Sequence, residues 1–215
     1  MPRLLEIFCG TKSVGKVFEK NGWEVTSVDL EPKFEPTICC DVLQLELDKW
    51  PPGYFDFIHA SPPCTYYSRC RTTGKKVDML EHDRISLHTV CLIWALKPKF
   101  YTIENPASSK IWQLPWLKDL PYKIASYCKY SQWGYQKHTR FATNLQFWNP
   151  MKCQWDCVHT FISNTGRKKH VSQAQCAKTF DSDKKYTSQE LYRIPEALVE
   201  EIFAAAENSI SRRLA

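Results

Sequence analysis

A cysteine in a stiff loop is the residue of this chain best placed for covalent chemistry. Cys64 follows Pro62 and Pro63, directly after the largely apolar run of residues 54–59. Proline fixes its own φ and keeps the preceding residue out of the helical region, so the loop is predicted to be extended and rigid. The run before it predicts a buried strand, and open α/β sheets bind ligands beyond the carboxyl ends of their strands. Cys64 is therefore a candidate nucleophile, with a small apolar cysteine packed in a turn as the alternative.

A carboxylate supplies the second chemical group. Glu104 ends the apolar segment of residues 99–104, which Asn105 and Pro106 stop. A carboxylate at the end of a buried strand is costly to desolvate unless it has a partner, which favours a functional role for Glu104. The segment of residues 136–140, which carries cationic side chains, follows in the same order along the chain. An acid and a cation are thus candidates for the same site.

The turn after the first predicted strand, residues 8–15, indicates a ligand without phosphates. Gly10 would let the backbone approach a ligand closely, but the turn lacks the full GxGxxG pattern of dinucleotide binding. Asp29 ends the second predicted strand, where a carboxylate can accept hydrogen bonds from ribose hydroxyls, and Asp41 could contact an adenine amino group. S-adenosylmethionine therefore fits better than ATP or NAD, although helix capping or simple turn roles would also explain both acids.

The elements that must position these groups alternate between strand and helix. Strands are predicted at residues 4–8, 24–28, 37–41, 55–60 and 99–104, and helices at 13–21 and 79–96. This alternation predicts an α/β fold with a mainly parallel sheet flanked by helices. The long helix is expected to use Leu80, Ile85, Leu87, Val90, Cys91 and Trp94 for packing on the sheet. Later residues predict strands at 123–130 and 139–143, and one final helix over residues 188–206 that Ser188 caps.

Composition narrows the class of protein. The chain has 215 residues, which fits one domain with a small appended lobe, and its net charge of +6 permits a nucleic-acid partner without requiring one. Ten cysteines without a secretory signal predict reduced thiols in the cytoplasm or nucleus. No apolar run is long enough to cross a bilayer, so no membrane partner is expected.

The order of these features resembles the cytosine-C5 DNA methyltransferase family. The matching features are a Phe-x-Gly turn, an acidic strand end, a Pro-Pro-Cys loop, Glu-Asn at a strand end and a Gln-x-x-x-Arg strand. The resemblance covers residues 4 to about 145 and is closest to short phage-like or virus-like members, which would act inside a host cell. It implies a Rossmann-like methyltransferase fold that uses S-adenosylmethionine. The implied regions are a catalytic core at residues 1–148, a target-recognition-like insertion at 149–188 and a helical segment at 189–215 that packs back on the core.

The resemblance also implies a mechanism. Cys64 would attack C6 of a cytosine flipped out of DNA, Glu104 would hydrogen-bond or protonate N3, and Arg140 would hold O2. The implied cofactor-binding residues are Phe8, Cys9, Gly10, Thr11, Lys12, Ser13, Val14, Asp29, Leu30, Asp41, Val42 and Pro62. The implied nucleic-acid-binding residues are Ser68, Arg69, Arg71, Lys75, Lys76, Asn105, Gln136, His138, Arg167, Lys168 and Lys169.

The sequence leaves open the substrate, the catalytic competence and the metal content of the protein. One alternative to a DNA methyltransferase is the same reaction on RNA, such as a transfer-RNA loop, and another is a catalytically inactive nucleic-acid-binding homologue. The protein is expected to act as a monomer. Cys153, Cys157, His159 and Cys176, with His170 nearby, could ligate zinc, but their spacing is unusual. Free thiols and surface histidines without a metal are the favoured interpretation of this cluster.

Overall fold

The computed structural model describes residues 1–68, 79–133, 135–173 and 187–214. Its strands are β1 (Arg3–Ile7), β2 (Glu24–Asp29), β3 (Ile38–Cys39), β4 (Phe57–Ala60), β5 (Phe100–Pro106), β6 (Tyr122–Ser126), β7 (Tyr135–Gln136), β8 (His138–Thr143), β9 (Thr160–Ile162), β10 (Lys168–His170) and β11 (Ser172–Gln173). Its α-helices are α1 (Gly15–Lys20), α2 (Met79–Leu96), α3 (Ser188–Tyr192) and α4 (Glu196–Leu214).

Seven strands form one sheet in the order β3-β2-β1-β4-β5-β8-β6. The pairs from β3 to β5 are parallel, and β8 runs antiparallel to both of its neighbours. The four residues of β4 are all buried, as expected for a central parallel strand that is covered on both faces. This mainly parallel sheet confirms the predicted α/β fold class.

Helices cover both faces of the sheet. On one face α1 packs against α4, where the rings of Phe18 and Phe203 meet edge to face at 5.2 Å. On the other face α2 buries Val90, Leu92 and Ile93 among residues of β1, β4 and β5. Apolar area removed from water on both faces therefore holds the central strands in place.

The face of α2 that meets the sheet differs from the prediction. Leu80, Leu87, Cys91 and Trp94 are exposed, whereas Ser86 and Thr89 are buried beside the apolar residues. Each buried hydroxyl has a hydrogen-bond partner: Ser86 accepts a hydrogen bond from Trp116, and Thr89 donates to the carbonyl of Ile85. Because satisfied hydroxyls can be buried at low cost, counting apolar residues alone identified Ile85 and Val90 but misplaced the rest of the buried face.

The predicted C-terminal helix is two helices, α3 and α4. Pro195 lies between them; it has no N–H for the helical ladder and disfavours helical geometry in the residue before it. The cap of α3 is Thr187 rather than Ser188, and Thr187 forms a capping box with Glu190. Among the residues described, no helix is both long and apolar enough to cross a membrane.

Candidate active site

A cavity of about 360 Å³ lies at the carboxyl ends of β1, β2 and β4. The chain builds the sheet outward from β1 to β3 and then returns to place β4 on the other side of β1. This reversal is the topological switch point at which open α/β sheets bind ligands. We call this space the edge cavity.

A strained turn forms one wall of the edge cavity. Phe8, Gly10 and Lys12 all have left-handed backbone conformations, with φ of 59°, 46° and 55°. Such conformations cost about 1–3 kcal/mol in residues other than glycine and persist only where the surroundings hold them. Asp29 is part of that support, because one of its carboxylate oxygens accepts the Gly10 N–H at 2.9 Å and the other accepts the Glu31 N–H at 2.9 Å.

Glu6 is a buried carboxylate of the edge cavity that the sequence analysis did not single out. Its two oxygens accept the backbone N–H groups of Val14 and Gly15, at 3.1 and 3.0 Å. Burial raises the pKa of Glu6 to about 8, and the two backbone donors oppose that rise. A Cβ atom on Gly15 would lie 2.6 Å from the Glu6 carboxylate, so this turn requires glycine there. The sequence could have indicated Glu6, because it is the only charged residue in the apolar strand predicted at residues 4–8.

Only part of the predicted cofactor set lines the edge cavity. The predicted residues that do so are Phe8, Cys9, Gly10, Thr11, Ser13, Asp29 and Pro62. The lining residues that were missed include Glu6, Glu31, Lys33, Phe34, His59, Ser61, Thr65, Tyr192 and Ile194.

The other predicted cofactor residues have structural roles or point elsewhere. Val14 and Val42 are buried in the apolar core, and Leu30 is exposed. Lys12 donates to the carbonyl of Glu35 through its ammonium group. Asp41 caps the short 3-10 turn of residues 42–44, which is the alternative that its position before a turn allowed.

The C-terminal segment completes the edge cavity. Thr11 and Ser13 share a hydrogen bond of 2.9 Å between their hydroxyls, and Ser13 accepts the N–H of Ile194 at 3.1 Å. Tyr192 and Ile194 then form part of the cavity lining. Because these two residues are far from the turn in sequence, local patterns could not assign them to the site.

Two buried side chains, Asn105 and His59, form hydrogen bonds that hold the loop carrying Cys64. Asn105 donates to the carbonyl of Pro62 at 2.8 Å, and His59 lies 3.0 Å from the hydroxyl of Ser61. Burial lowers the pKa of His59 to about 3, so its ring is neutral and serves as a hydrogen-bonding support. Asn105 was predicted to contact nucleic acid; it is only 1% exposed, and it positions the loop instead.

Cys64 faces a buried acid and a buried cation. Glu104 accepts a hydrogen bond from Tyr127 at 3.2 Å, and its carboxylate lies 3.5 Å from the ammonium of Lys137. The Glu104 and Lys137 side chains are only 9% and 13% exposed. Burial raises the pKa of the Cys64 thiol; the charge of Glu104 adds to the rise, and Lys137 opposes it.

Arg140 lies away from this group. In the β5–β8 register it pairs with Asn105, whereas Phe141 pairs with Glu104, so Arg140 and Glu104 point to opposite faces of the sheet. The guanidinium lies 3.8 Å from the ring centre of Tyr122 and 4.5 Å from that of Trp112. The cation that the structure brings to the acid is Lys137, which the sequence analysis passed over within the cationic segment.

A second cavity of about 350 Å³ adjoins the first, and we call it the outer cavity. Its lining includes Ser68, Gln136 and His138, three of the predicted nucleic-acid-binding residues. Both cavities are lined by Cys64 and Lys137, together with Pro106 and Tyr192. The thiol therefore lies where two ligand-sized spaces meet.

Of the remaining predicted nucleic-acid-binding residues, the structure describes Arg167, Lys168 and Lys169. Arg167 and Lys168 are exposed at the β9–β10 hairpin, and Lys169 is half-buried on β10. Arg69, Arg71, Lys75 and Lys76 lie outside the described residues, as does the predicted zinc candidate Cys176. Another zinc candidate, His159, directs its Nε2 atom to the carbonyl of Ser131.

The sheet order and the cavity at its switch point define the class of protein as a Rossmann-like α/β fold of the methyltransferase type. A probable DNA (cytosine-5)-methyltransferase of Frog virus 3 (isolate Goorha) is 31% identical over 217 residues, which cover 93% of this chain and 98% of the viral protein. The chain belongs to the DNA (cytosine-5)-methyltransferase family.

The solved structures that the chain matches include two methyltransferases. One is a putative DNA modification methyltransferase of an Escherichia coli prophage, with 16% identity and a TM-score of 0.47 over 66% of this chain and 46% of that one. The other is Dnmt2 of S. pombe, with 14% identity and a TM-score of 0.45 over 66% of this chain and 48% of that one. The aligned regions thus span about half the length of these structures. No protein-family model matches the chain.

Proposed function

We propose that this protein transfers a methyl group to C5 of cytosine in DNA through a transient covalent bond to Cys64. The observation that carries the proposal is the position of Cys64 at the junction of the edge and outer cavities, beside Glu104 and Lys137. A thiol in this position can reach a base in one cavity while a methyl donor occupies the other. The name of the viral relative states methyl transfer to C5 of cytosine in DNA, and the covalent step is our proposal from the position of Cys64.

The edge cavity suits S-adenosylmethionine. Its volume of about 360 Å³ lies within the range of small-molecule sites, roughly 300–1,000 Å³. Asp29 and Glu31 at the end of β2 would accept hydrogen bonds from ribose hydroxyls, and these carboxylates would repel a phosphate-bearing cofactor. The ring of Phe34 offers an apolar surface for a purine base. When bound there, S-adenosylmethionine supplies an electrophilic methyl group.

Cys64 begins the proposed reaction on the base. Its thiolate adds to C6 of cytosine and forms an S–C6 bond, and the electrons of the C5–C6 double bond move toward N3 and C5. Glu104 delivers or shares a proton at N3, while Lys137 offsets negative charge that develops on the ring. C5 becomes nucleophilic and accepts the methyl group as the donor's sulfur–methyl bond breaks, and the electron pair of that bond stays on sulfur as a neutral thioether. A water molecule then takes the C5 proton, the C5–C6 double bond re-forms, Cys64 leaves as a thiolate, and the proton on N3 returns to Glu104.

Because the Cys64 thiol is partly buried, the target base must leave the duplex to reach it. A cytosine stacked in DNA cannot bring C6 to a partly buried thiol, so the target nucleotide must be flipped into the outer cavity. Gln136 and His138 line that cavity and would contact the flipped nucleotide. Arg167, Lys168 and Lys169 near the β9–β10 hairpin would contribute contacts to phosphates.

The alternative polymer is RNA, and direct comparison separates the two. Purified protein with radiolabelled S-adenosylmethionine is expected to label duplex DNA and leave an equal mass of transfer RNA unlabelled. Bisulfite sequencing of the labelled DNA should then show modified cytosines. Labelling of transfer RNA alone would replace the DNA assignment, and labelling of neither would favour the inactive binding homologue.

Replacing each of the two cations, Lys137 and Arg140, in turn tests which one acts in the reaction. Lys137→Met is expected to lower kcat about 100-fold, because the ammonium would no longer stabilise charge on the base. Arg140→Met is expected to lower the melting temperature through lost ring packing, with kcat reduced less than about tenfold. Steady-state rates and thermal melts of both variants check the pair. A larger kcat loss in Arg140→Met than in Lys137→Met would return the role to Arg140.

The raised pKa of Cys64 predicts the pH dependence of the reaction. Because only the thiolate is nucleophilic, kcat/KM should rise about tenfold per pH unit while the pH is below the thiol pKa. The ammonium of Lys137 favours the thiolate, so Lys137→Met should move the rising limb to higher pH. Initial rates in overlapping buffers give the profile. A profile that is flat from about pH 6 to pH 8 would contradict a thiol with a raised pKa.

A further inference from the structure

A buried cluster of three cysteines and one histidine lies outside the proposed active site. Cys128 belongs to the 3-10 turn after β6, Cys153 and Cys157 lie between β8 and β9, and His170 ends β10. All four side chains are buried, and their sulfur and nitrogen ligand atoms lie within 4.8 Å of one another. The Nε2 atom of His170 is 3.4 Å from the sulfur of Cys153 and 3.3 Å from that of Cys157.

The two nitrogen–sulfur distances match an edge of a metal-centred tetrahedron. Zinc binds cysteine sulfur at about 2.3 Å and histidine nitrogen at about 2.0–2.1 Å, so tetrahedral geometry places nitrogen and sulfur about 3.5 Å apart. The two measured nitrogen–sulfur distances are close to that value. Cys128, Cys153 and Cys157 are all free thiols, and a three-cysteine, one-histidine set is a common donor set of structural zinc sites.

We propose that Cys128, Cys153, Cys157 and His170 bind one structural Zn²⁺ ion. Four protein ligands fill the tetrahedron, which leaves no position for water or substrate and excludes a catalytic role for the ion. Binding replaces the three thiol protons, so a dication and three thiolates carry a net charge of −1. Lys129 follows Cys128 directly in the sequence. Its ammonium binds Asp156, which lies between Cys153 and Cys157 in the sequence, so a cation is available beside the site.

This ligand set differs from the one that the sequence suggested. Cys153 and Cys157 are retained, Cys128 and His170 complete the set, and His159 is engaged with a backbone carbonyl. Cys128 precedes Cys153 by 25 positions and comes from the turn after a strand of the main sheet, so ligand spacing within residues 149–188 could not identify it.

The ion would connect the C-terminal insertion to the strands that carry the active site. The N–H of Cys153 donates to Ser126 at 2.9 Å, and Ser126 shares a hydrogen bond of 2.8 Å with His138. Tyr127 precedes Cys128, donates its hydroxyl to Glu104, and donates its N–H to the carbonyl of Lys137 at 3.0 Å. The metal ligands are thus positioning residues for Glu104 and Lys137. This consequence rests on the proposed function.

Metal content tests the site without reference to methyl transfer. Full-length protein carrying no polyhistidine tag is analysed by elemental mass spectrometry and is expected to contain one zinc per chain. Cys157→Ser and His170→Ala should each lower zinc at least fivefold. Cys91→Ser, at an exposed thiol on α2, and His159→Ala should retain the wild-type content, as should Cys176→Ser. Loss of zinc in Cys176→Ser with retention in His170→Ala would overturn the proposed ligand set.

X-ray absorption of the wild-type protein keeps the proposal falsifiable if the ligand variants do not fold. The expected first coordination sphere contains three sulfurs at about 2.3 Å and one nitrogen at about 2.0–2.1 Å. A sphere of oxygen and nitrogen alone, or purified protein without zinc that does not bind added Zn²⁺, would reject the site. Zinc content and X-ray absorption are both independent of methyltransferase activity. A protein that holds zinc with the expected ligands but methylates nothing would therefore support the zinc site and reject the proposed function.

Discussion

A Cys64→Ser variant is expected to transfer methyl groups to cytosine at least about 10⁴-fold more slowly than the wild type, the order seen when a catalytic nucleophile is removed. Serine has nearly the same shape but stays protonated at neutral pH, so it cannot add to C6. The cofactor should still bind, because the cavity walls formed by Glu6, Phe8, Gly10 and Asp29 are unchanged. The measurements are initial rates of radiolabel incorporation into DNA and the affinity for S-adenosylmethionine.

Cys91→Ser is the matched control for this variant. Cys91 is an exposed thiol on α2, so its replacement should leave the rate within a factor of two. If Cys64→Ser retained more than a tenth of the wild-type rate while Cys91→Ser behaved normally, the covalent mechanism would be wrong.

Glu104→Gln is expected to lower the rate of methyl transfer about 10²- to 10⁴-fold, the range for loss of a general acid. Glutamine keeps an oxygen that can accept the hydrogen bond of Tyr127, but it cannot deliver a proton to N3. The substitution also leaves the ammonium of Lys137 buried without its anion, which should lower the free energy of unfolding. Single-turnover rates and urea unfolding measure the two effects.

A double variant separates chemistry from stability at Glu104. Adding Lys137→Met to Glu104→Gln removes the unpaired buried cation, so the free energy of unfolding should recover. The rate should not recover, because the double variant lacks both the proton donor and the cation that stabilises charge on the base. Recovery of both quantities would contradict the proposed roles of Glu104 and Lys137 in the reaction.

The sequence predicted the parts of the fold that depend on local patterns. Helix α2 is described over Met79–Leu96 and ends at the expected residue, and the first five strands lie where apolar runs alternate with turns. The same reasoning placed Cys64 at the carboxyl edge of the sheet, because an apolar strand runs directly into the two prolines. It also found the turn of residues 8–13 from its glycine.

The parts that sequence reasoning missed depend on contacts between distant segments. Lys137 lies between β7, which pairs with β11, and β8, which joins the main sheet; the change of partner decides which side chain faces Glu104. Tyr192 and Ile194 reach the edge cavity only because the C-terminal segment folds back on the turn near Ser13. Strand periodicity gives the alternation along one strand, but it does not give the register against another.

Trapping the covalent intermediate tests the proposed mechanism most directly. The protein is incubated with S-adenosylmethionine and duplex DNA in which 5-fluorocytosine replaces cytosine, and the mixture is separated under denaturing conditions. Because fluorine at C5 cannot leave as a proton, Cys64 should stay bonded to C6, and a protein–DNA species should survive denaturation. The species should be absent with Cys64→Ser and present with Cys91→Ser. No adduct with active wild-type protein, or an adduct that persists in Cys64→Ser, would contradict the assignment of Cys64 as the nucleophile.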